Sequence, residues 1–105
     1  MPTVDVFGAL ANPIRRRILE LVRERPRAAG DIASQFDVRR PAVSEHLQVL
    51  RNAGLVTEEV RGRQRIYHLD ATPLTEAQAW LRPFERYWRQ RIHALSDTLS
   101  EEERP

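Results

Sequence analysis

The hydrophobic positions of this chain recur at two periods, and the change from one to the other divides it into parts. Ile32, Ala33 and Phe36 share one face at helical spacing, with Asp31 at the end where the helix dipole favours an anion. Val43, Leu47 and Leu50 then recur at i, i+4 and i+7 on a second helix. Val38 to Arg40 is the turn between the two. Pro41 opens the second helix, where its missing N–H costs nothing, and Gly54 stops it. Two short helices joined by a tight turn at 31–53 form a helix-turn-helix layout.

The flanking pattern predicts the rest of the domain. Thr3 to Ala11 reads as a short helix carrying Val4, Val6, Phe7 and Leu10. Asn12-Pro13 is a capping residue followed by proline at the first helical position, and opens a helix to about Glu24 that buries Ile14, Ile18, Leu21 and Val22. Pro26 closes that helix. After Gly54 the period shortens to two: Leu55 to Val60, a turn at Arg61-Gly62, and Arg63 to Leu69 read as a hairpin, a wing at 55–69. From Pro73 the chain is helical again, and Pro83 is expected to kink or divide this last helix near Leu81 or Arg82. The sum is one domain over 1–105, mainly α with a two-stranded β wing: a winged helix-turn-helix.

The last helix carries more apolar surface than so small a core absorbs. Leu74, Ala77, Leu81, Phe84, Trp88, Ile92, Leu95 and Leu99 recur at spacings of three and four. A dimer interface uses that surface most economically, with 1–12 and 73–100 as dimerisation helices and Val4, Phe7, Leu81, Phe84, Trp88, Ile92 and Leu95 at the contact. The alternative is a hydrophobic ligand pocket lined by Trp80, Phe84 and Trp88.

With Val43, Leu47 and Leu50 facing inward, Arg40, Pro41, Ser44, Glu45 and Gln48 face outward on the second helix of the pair. Guanidinium, hydroxyl, carboxylate and amide at the N-terminal half of such a helix are the groups that read base edges in a major groove of double-stranded DNA. Arg39 and Arg40 stand where Ser, Thr, Asp or Asn normally caps. Each forgoes a cap or opposes the dipole at a cost on the order of 0.5 to 1 kcal/mol, which approaching phosphates explain. Arg61, Arg63 and Arg65 on the wing suit an adjacent minor groove or its phosphates. The bland alternative for all of these is solvated surface charge, which on a hairpin also discourages edge pairing.

A net charge of +2 is too small to argue for nucleic acid by itself. Its distribution says more: from Pro13 to Arg65 twelve arginines face seven acids, while from Ile66 onward five face seven. All seventeen cations are arginine. Arg15, Arg16 and Arg17 lie off the buried face of their helix and are expected to be mostly solvated, with one in an ion pair. There is no cysteine, hence no disulfide, thiolate metal site or thiol nucleophile. No positioned nucleophile and base, phosphate-cradling loop or carboxylate pair points to catalysis. No apolar run reaches bilayer length and no secretory signal is evident, so a cytoplasmic location with no membrane partner is expected. His46 and His68 are expected to be structural. His93 and Asp97, one helical turn apart, are the nearest approach to a metal pair, but no second histidine lies nearby, and no metal or other cofactor is expected.

Taken together, the segments FGALANPIRRRILELV, DIASQFDV, RRPAVSEHLQVLRNAGLV and VRGRQRIYHLD resemble the ArsR-type winged helix-turn-helix repressors over nearly the whole chain. The long tryptophan-bearing C-terminal helix is similar to that of the autorepressor-like branch without a metal site. The resemblance implies a cytoplasmic homodimer that binds a palindromic operator and represses transcription. The Cys-x-Cys pair of the arsenic sensors is replaced by Ala28 and Gly30, and the hydroxyl caps usual for the third and fourth helices by Ala28 and Arg39. The signal is left open, whether a small-molecule or a protein inducer or none. The rival reading keeps the winged helix as scaffold, with the aromatic C-terminal helix binding a partner protein.

Overall fold

The computed structural model describes residues 5–102, with side chains for residues 5–99. Five helices, α1 (Val6–Leu10), α2 (Pro13–Glu24), α3 (Ala29–Ala33), α4 (Arg40–Asn52) and α5 (Leu74–Glu102), accompany three strands, β1 (Arg27–Ala28), β2 (Val56–Arg61) and β3 (Gln64–Leu69). The core is built from every helix: Val6 and Ala9 of α1, Ile18, Leu19 and Val22 of α2, Ile32, then Val43, Leu47 and Leu50 of α4, and Ala77 of α5. Leu55, Val56 and Tyr67 close it from the sheet side.

Side-chain caps set the helix starts. Asp5 is extended and accepts from Gly8 N at 2.7 Å, capping α1 at Val6; Thr3 and Val4, where the helix was expected to start, lie outside the described residues. Asn12 accepts from the backbone N–H groups of Ile14 and Arg15 at 2.8 and 3.2 Å, with Pro13 at the first helical position. The short α1 leaves carbonyls open at its C-terminus, and arginines of α2 take them. Arg15 donates from Nε to Ala9 O at 2.8 Å and from Nη2 to Gly8 O at 3.0 Å, and Arg16 donates to Leu10 O at 2.7 Å. Arg15 and Arg16 are therefore helix-end ligands rather than solvated charge; the ion pair of the triplet is Arg17 with Glu20 at 3.0 Å.

The wing sheet has three strands, not the two expected. β1 pairs antiparallel with β3, Arg27 opposite Tyr67 and Ala28 opposite Ile66, giving the order β1-β3-β2. The guanidinium of Arg27, 8% exposed, fixes this edge: it donates to Leu21 O at 2.9 Å, Asp31 Oδ2 at 3.1 Å and Glu24 Oε2 at 2.7 Å. Two residues are too few to show a period, which is why the strand was illegible in the pattern. α3 follows directly, starting at Ala29 rather than Asp31 and without a side-chain cap; Phe36 packs on the core from the turn beyond it. Arg40 is the first helical residue of α4 instead of the last of the turn.

Gly54 ends α4 at φ +77°, with Leu55 N donating to Leu50 O and Gly54 N to Arg51 O, both at 3.0 Å. That pair of bonds is the Schellman arrangement, and it delivers Leu55, fully buried, into the core at the start of the wing. At the wing tip Arg61 pairs with Gln64, so the two-residue turn is Gly62-Arg63, one residue later than expected. Gly62, at φ +64°, holds the first central position, where a type II′ turn takes positive φ.

α5 is one helix with Pro83 inside it, so of the expected kink or division the division does not occur. Proline removes one ladder bond, to the carbonyl of Ala79, and Ala79 is exposed, so that carbonyl is open to solvent rather than buried unpaired. The helix is about 44 Å long. Its first turns meet the domain: Ala77 is buried, and the rings of Phe7 and Trp80 pack edge to face with centroids 5.7 Å apart. Trp80 in turn lies 4.8 Å from Phe84.

Replacing Arg27 with methionine leaves the carbonyl of Leu21 without its donor and is expected to cost about 2 kcal/mol. The thermal midpoint, followed by circular dichroism, should fall by roughly 10 °C. An unchanged midpoint would show that β1 needs no such anchor.

Candidate nucleic-acid interface

α4 presents two unlike faces. Val43, Leu47 and Leu50 are buried, while Arg40, Pro41, Ser44, Glu45 and Gln48 are all exposed. Arg39 is the N-cap residue, extended at φ −65°, ψ 142°, and makes no side-chain cap bond. Among the described residues neither Arg39 nor Arg40 has a carboxylate within ion-pair distance. Two cations thus stand uncompensated at a helix end whose N–H groups already carry partial positive charge.

Two adjoining hollows, of about 380 and 270 Å³, separate α4 from the sheet and share Ala29, Arg40 and Arg65. The first is edged by Arg40, Arg63, Gln64 and Arg65, with Asp31, already paired with Arg27, as its one acid; the second by Arg40, Ser44, Gln48, Arg51 and Glu58. Recognition-helix and wing residues named from the sequence therefore border one cationic trough. Pro41 and Glu45 lie on the exposed face of α4 beside it, and Arg39 precedes the helix.

The three wing arginines are not equivalent. Arg61 donates to both oxygens of Glu59, at 2.9 and 3.1 Å, and Arg65 reaches Glu58 at 3.4 Å. Arg63, in the turn, has no carboxylate partner among the described residues. Glu59 is also 2.8 Å from His68 Nε2; that hydrogen bond, with the one from Arg61, holds its carboxyl below the ordinary value. On α4, Gln48 donates to Asn52 Oδ1 at 2.9 Å, so its amide is held by the next turn of its own helix.

Three residues at this face escaped the sequence reading. Asn52 was detectable as the i+4 partner of Gln48. Arg51 donates at 3.1 Å to Glu58, which is 14% exposed and also accepts from the Tyr67 hydroxyl at 3.0 Å. Glu58 lies opposite Tyr67 in the sheet register, and its signal is an acid in step with the inward-facing Val56.

Behind the trough, His46 Nδ1 lies 3.1 Å from Arg15 Nη1. A guanidinium only donates, so Nδ1 accepts and the ring proton sits on Nε2. Burial, and then the positive charge of Arg15, lower the histidine's pKa against an opposing pull from Glu45. Through Arg15 the recognition helix is tied to the carbonyls of Gly8 and Ala9. Away from this face, the alternative of a ligand pocket lined by Trp80, Phe84 and Trp88 finds no enclosed cavity within one chain, since all three are exposed along α5. His93 and Asp97 are exposed there too, and no group of three or more metal-ligating side chains is found among the described residues.

A helix buried along one stripe, its polar face and cationic N-terminus open, with an arginine-bearing hairpin across a trough from it, defines a winged helix-turn-helix DNA-binding protein. The chain belongs to the arsR family of bacterial regulatory proteins, whose pattern it matches over residues 12–58. It is 35% identical to the transcriptional repressor SdpR of Bacillus subtilis over 76% of this chain and 89% of that protein. It is 37% identical to the HTH-type transcriptional regulator Rv2034 of Mycobacterium tuberculosis over 91% of this chain and 87% of that one. The crystal structure of the ArsR family transcriptional regulator RHA00566 superposes with a TM-score of 0.71 at 30% identity, covering 79% of this chain and 91% of that one. These are transcriptional regulators, not enzymes, and none of the described helices is long and apolar enough to cross a membrane.

His46 gives the stability a definite pH dependence. Its pKa in the fold lies below the ordinary 6.5, so on acidification the unfolded chain takes up the proton first. Its contribution is complete above the unfolded pKa and is lost as pH falls through the lowered value. The denaturation midpoint should therefore decline as pH falls through the ordinary histidine range and below it, and His46→Gln should flatten that decline. A parallel slope in the variant would remove His46 from the account.

Proposed function

We propose that the protein is a cytoplasmic, homodimeric transcriptional repressor whose two recognition helices enter successive major grooves of a palindromic operator. The observation that carries the DNA reading is the uncapped, cationic start of α4 facing Arg63 across the trough. Arg40, Ser44, Glu45 and Gln48 read base edges, Pro41 shapes the helix entry, and Arg39 and Arg63 hold phosphates. Arg65 borders the same trough, whereas Arg61 stands on the wing outside its lining; both start from carboxylate partners, so each contributes less. The name of SdpR, a repressor, supports the direction of regulation.

The dimer reading rests on the uncovered stripe of α5. Phe84, Trp88, Ile92 and Leu95 are 44%, 52%, 66% and 61% exposed, and Phe7 and Leu81 continue the stripe onto the domain. Aromatic and aliphatic surface of this extent is covered in the working molecule. A second copy, using α1 with Val4 ahead of it and α5, supplies the cover and spaces two recognition helices. An inducer, whether a small molecule or a protein, acts on that assembly if there is one.

Selection of bound sequences from a random duplex pool at two salt concentrations, without added metal, tests the function. The expected result is an inverted repeat with half-sites about one helical turn apart. Weak, sequence-independent binding alone would favour the reading in which α5 holds a partner protein. Within the operator, Arg63→Ala should weaken all sequences alike and reduce the salt slope by about 1, whereas Arg40→Ala should change the preferred base at one position. Replacing Trp88 and Ile92 together with glutamate should convert the dimer to a monomer in sedimentation equilibrium, with helix content retained. A persistent dimer would overturn the α5 interface.

A further inference from the structure

Glu58 is the feature of the trough that DNA binding alone does not require. Its carboxylate lines the hollow that Ser44 and Gln48 of α4 also line, and the other charged side chains there, Arg40, Arg51 and Arg65, are all guanidiniums. It is 14% exposed and takes three donors, Arg51 Nη1 at 3.1 Å, Arg65 Nη1 at 3.4 Å and the Tyr67 hydroxyl at 3.0 Å. The two guanidiniums it holds are themselves 46% and 63% exposed, so they lie within reach of solvent and of any anion in the trough. Held there, the two guanidiniums share one internal anion, and the three side chains together carry a net charge of +1.

Resting on the DNA-binding reading above, we infer that Glu58 is a specificity-setting residue: it occupies Arg51 and Arg65 and so keeps them out of the phosphate contacts that bind any duplex. Sequence-independent affinity grows with every phosphate neutralised, whereas base readout by α4 does not depend on these two arginines. A carboxylate in the trough therefore lowers non-specific binding more than operator binding, and discrimination is the difference between the two. A purely structural strut between α4 and β2 would use the same hydrogen bonds but would not need the negative charge.

Glu58→Gln separates these roles, since the amide oxygen still accepts from Tyr67 and one arginine while the charge is gone. With the wild type first shown to bind its selected operator, binding of the variant to operator and to random duplex is measured across a salt series, with the thermal midpoint alongside. The inference expects the slope of log K against log salt on random duplex to steepen by about 0.9 for the one net charge gained, and by no more than about 1.8 if both released guanidiniums reach phosphates. The ratio of operator to random affinity should fall. Adding Arg51→Gln and Arg65→Gln to this variant should remove that steepening. An unchanged slope, or equal loss on both duplexes, overturns the inference.

The same two arginine substitutions in the wild-type background give a second test that does not depend on the folding of the glutamine variant. They should make the random-duplex slope shallower by well under 1.8, since Glu58 already occupies both guanidiniums, and the full 1.8 would show that Arg51 and Arg65 already hold phosphates. Failure of the wild type to prefer any sequence would instead sink the DNA-binding reading itself.

Discussion

The structure depends on a single constraint, that α4 buries three residues and no more. Val43, Leu47 and Leu50 are each at most 3% exposed, a burial that stabilises by roughly 1.5 to 3 kcal/mol per side chain. Their spacing fixes the rotation of the helix, and its rotation decides which side chains are left for a partner. The Schellman closure at Gly54 carries the same constraint forward, because Leu55 enters the core one residue later and sets where the wing departs. Recognition helix and wing are thus positioned by a continuous run of buried leucines and valines, with the polar trough left between them.

Arginine plays at least three roles within this frame. Arg15, Arg16 and Arg27 are structural, spending their donors on backbone carbonyls at helix ends and, for Arg27, on two carboxylates. Arg51, Arg61 and Arg65 face the trough or the wing but are paired with Glu58 or Glu59. Arg39, Arg40 and Arg63 remain without carboxylate partners among the described residues. The excess of twelve arginines over seven acids between Pro13 and Arg65 therefore overstates the charge available to a nucleic acid. Position relative to a helix end or a neighbouring strand decides what a guanidinium is for.

Much of the fold was legible because periodicity reports burial. The i, i+4, i+7 run of α4, the alternation of the hairpin and the stop at Gly54 all follow from side-chain spacing and from the positive φ that glycine supplies. What was not legible lacked either a period or a local cause. β1 is two residues held by a side chain that reaches α2 and α3; the turn is one residue later because cross-strand register, not composition, places it; and Pro83 sits in a helix long enough to absorb it. At the interface the outward residues of α4 follow from the inward ones. The Glu58 cluster does not, since it joins Arg51, Glu58, Arg65 and Tyr67 only once the hairpin has folded back on α4.

The trough edged by Arg40, Arg51, Arg63 and Arg65 contains no amine, and neither does any other side-chain cation in the sequence. A guanidinium stays protonated throughout the physiological range and is not a target for lysine acetylation. Its positive charge is consequently permanent, untouched by the enzymes that mask lysines and by any ordinary swing in acidity. A grip built this way has no chemical dimmer on its cationic side; it is loosened by moving the helices apart or by placing another anion among the arginines.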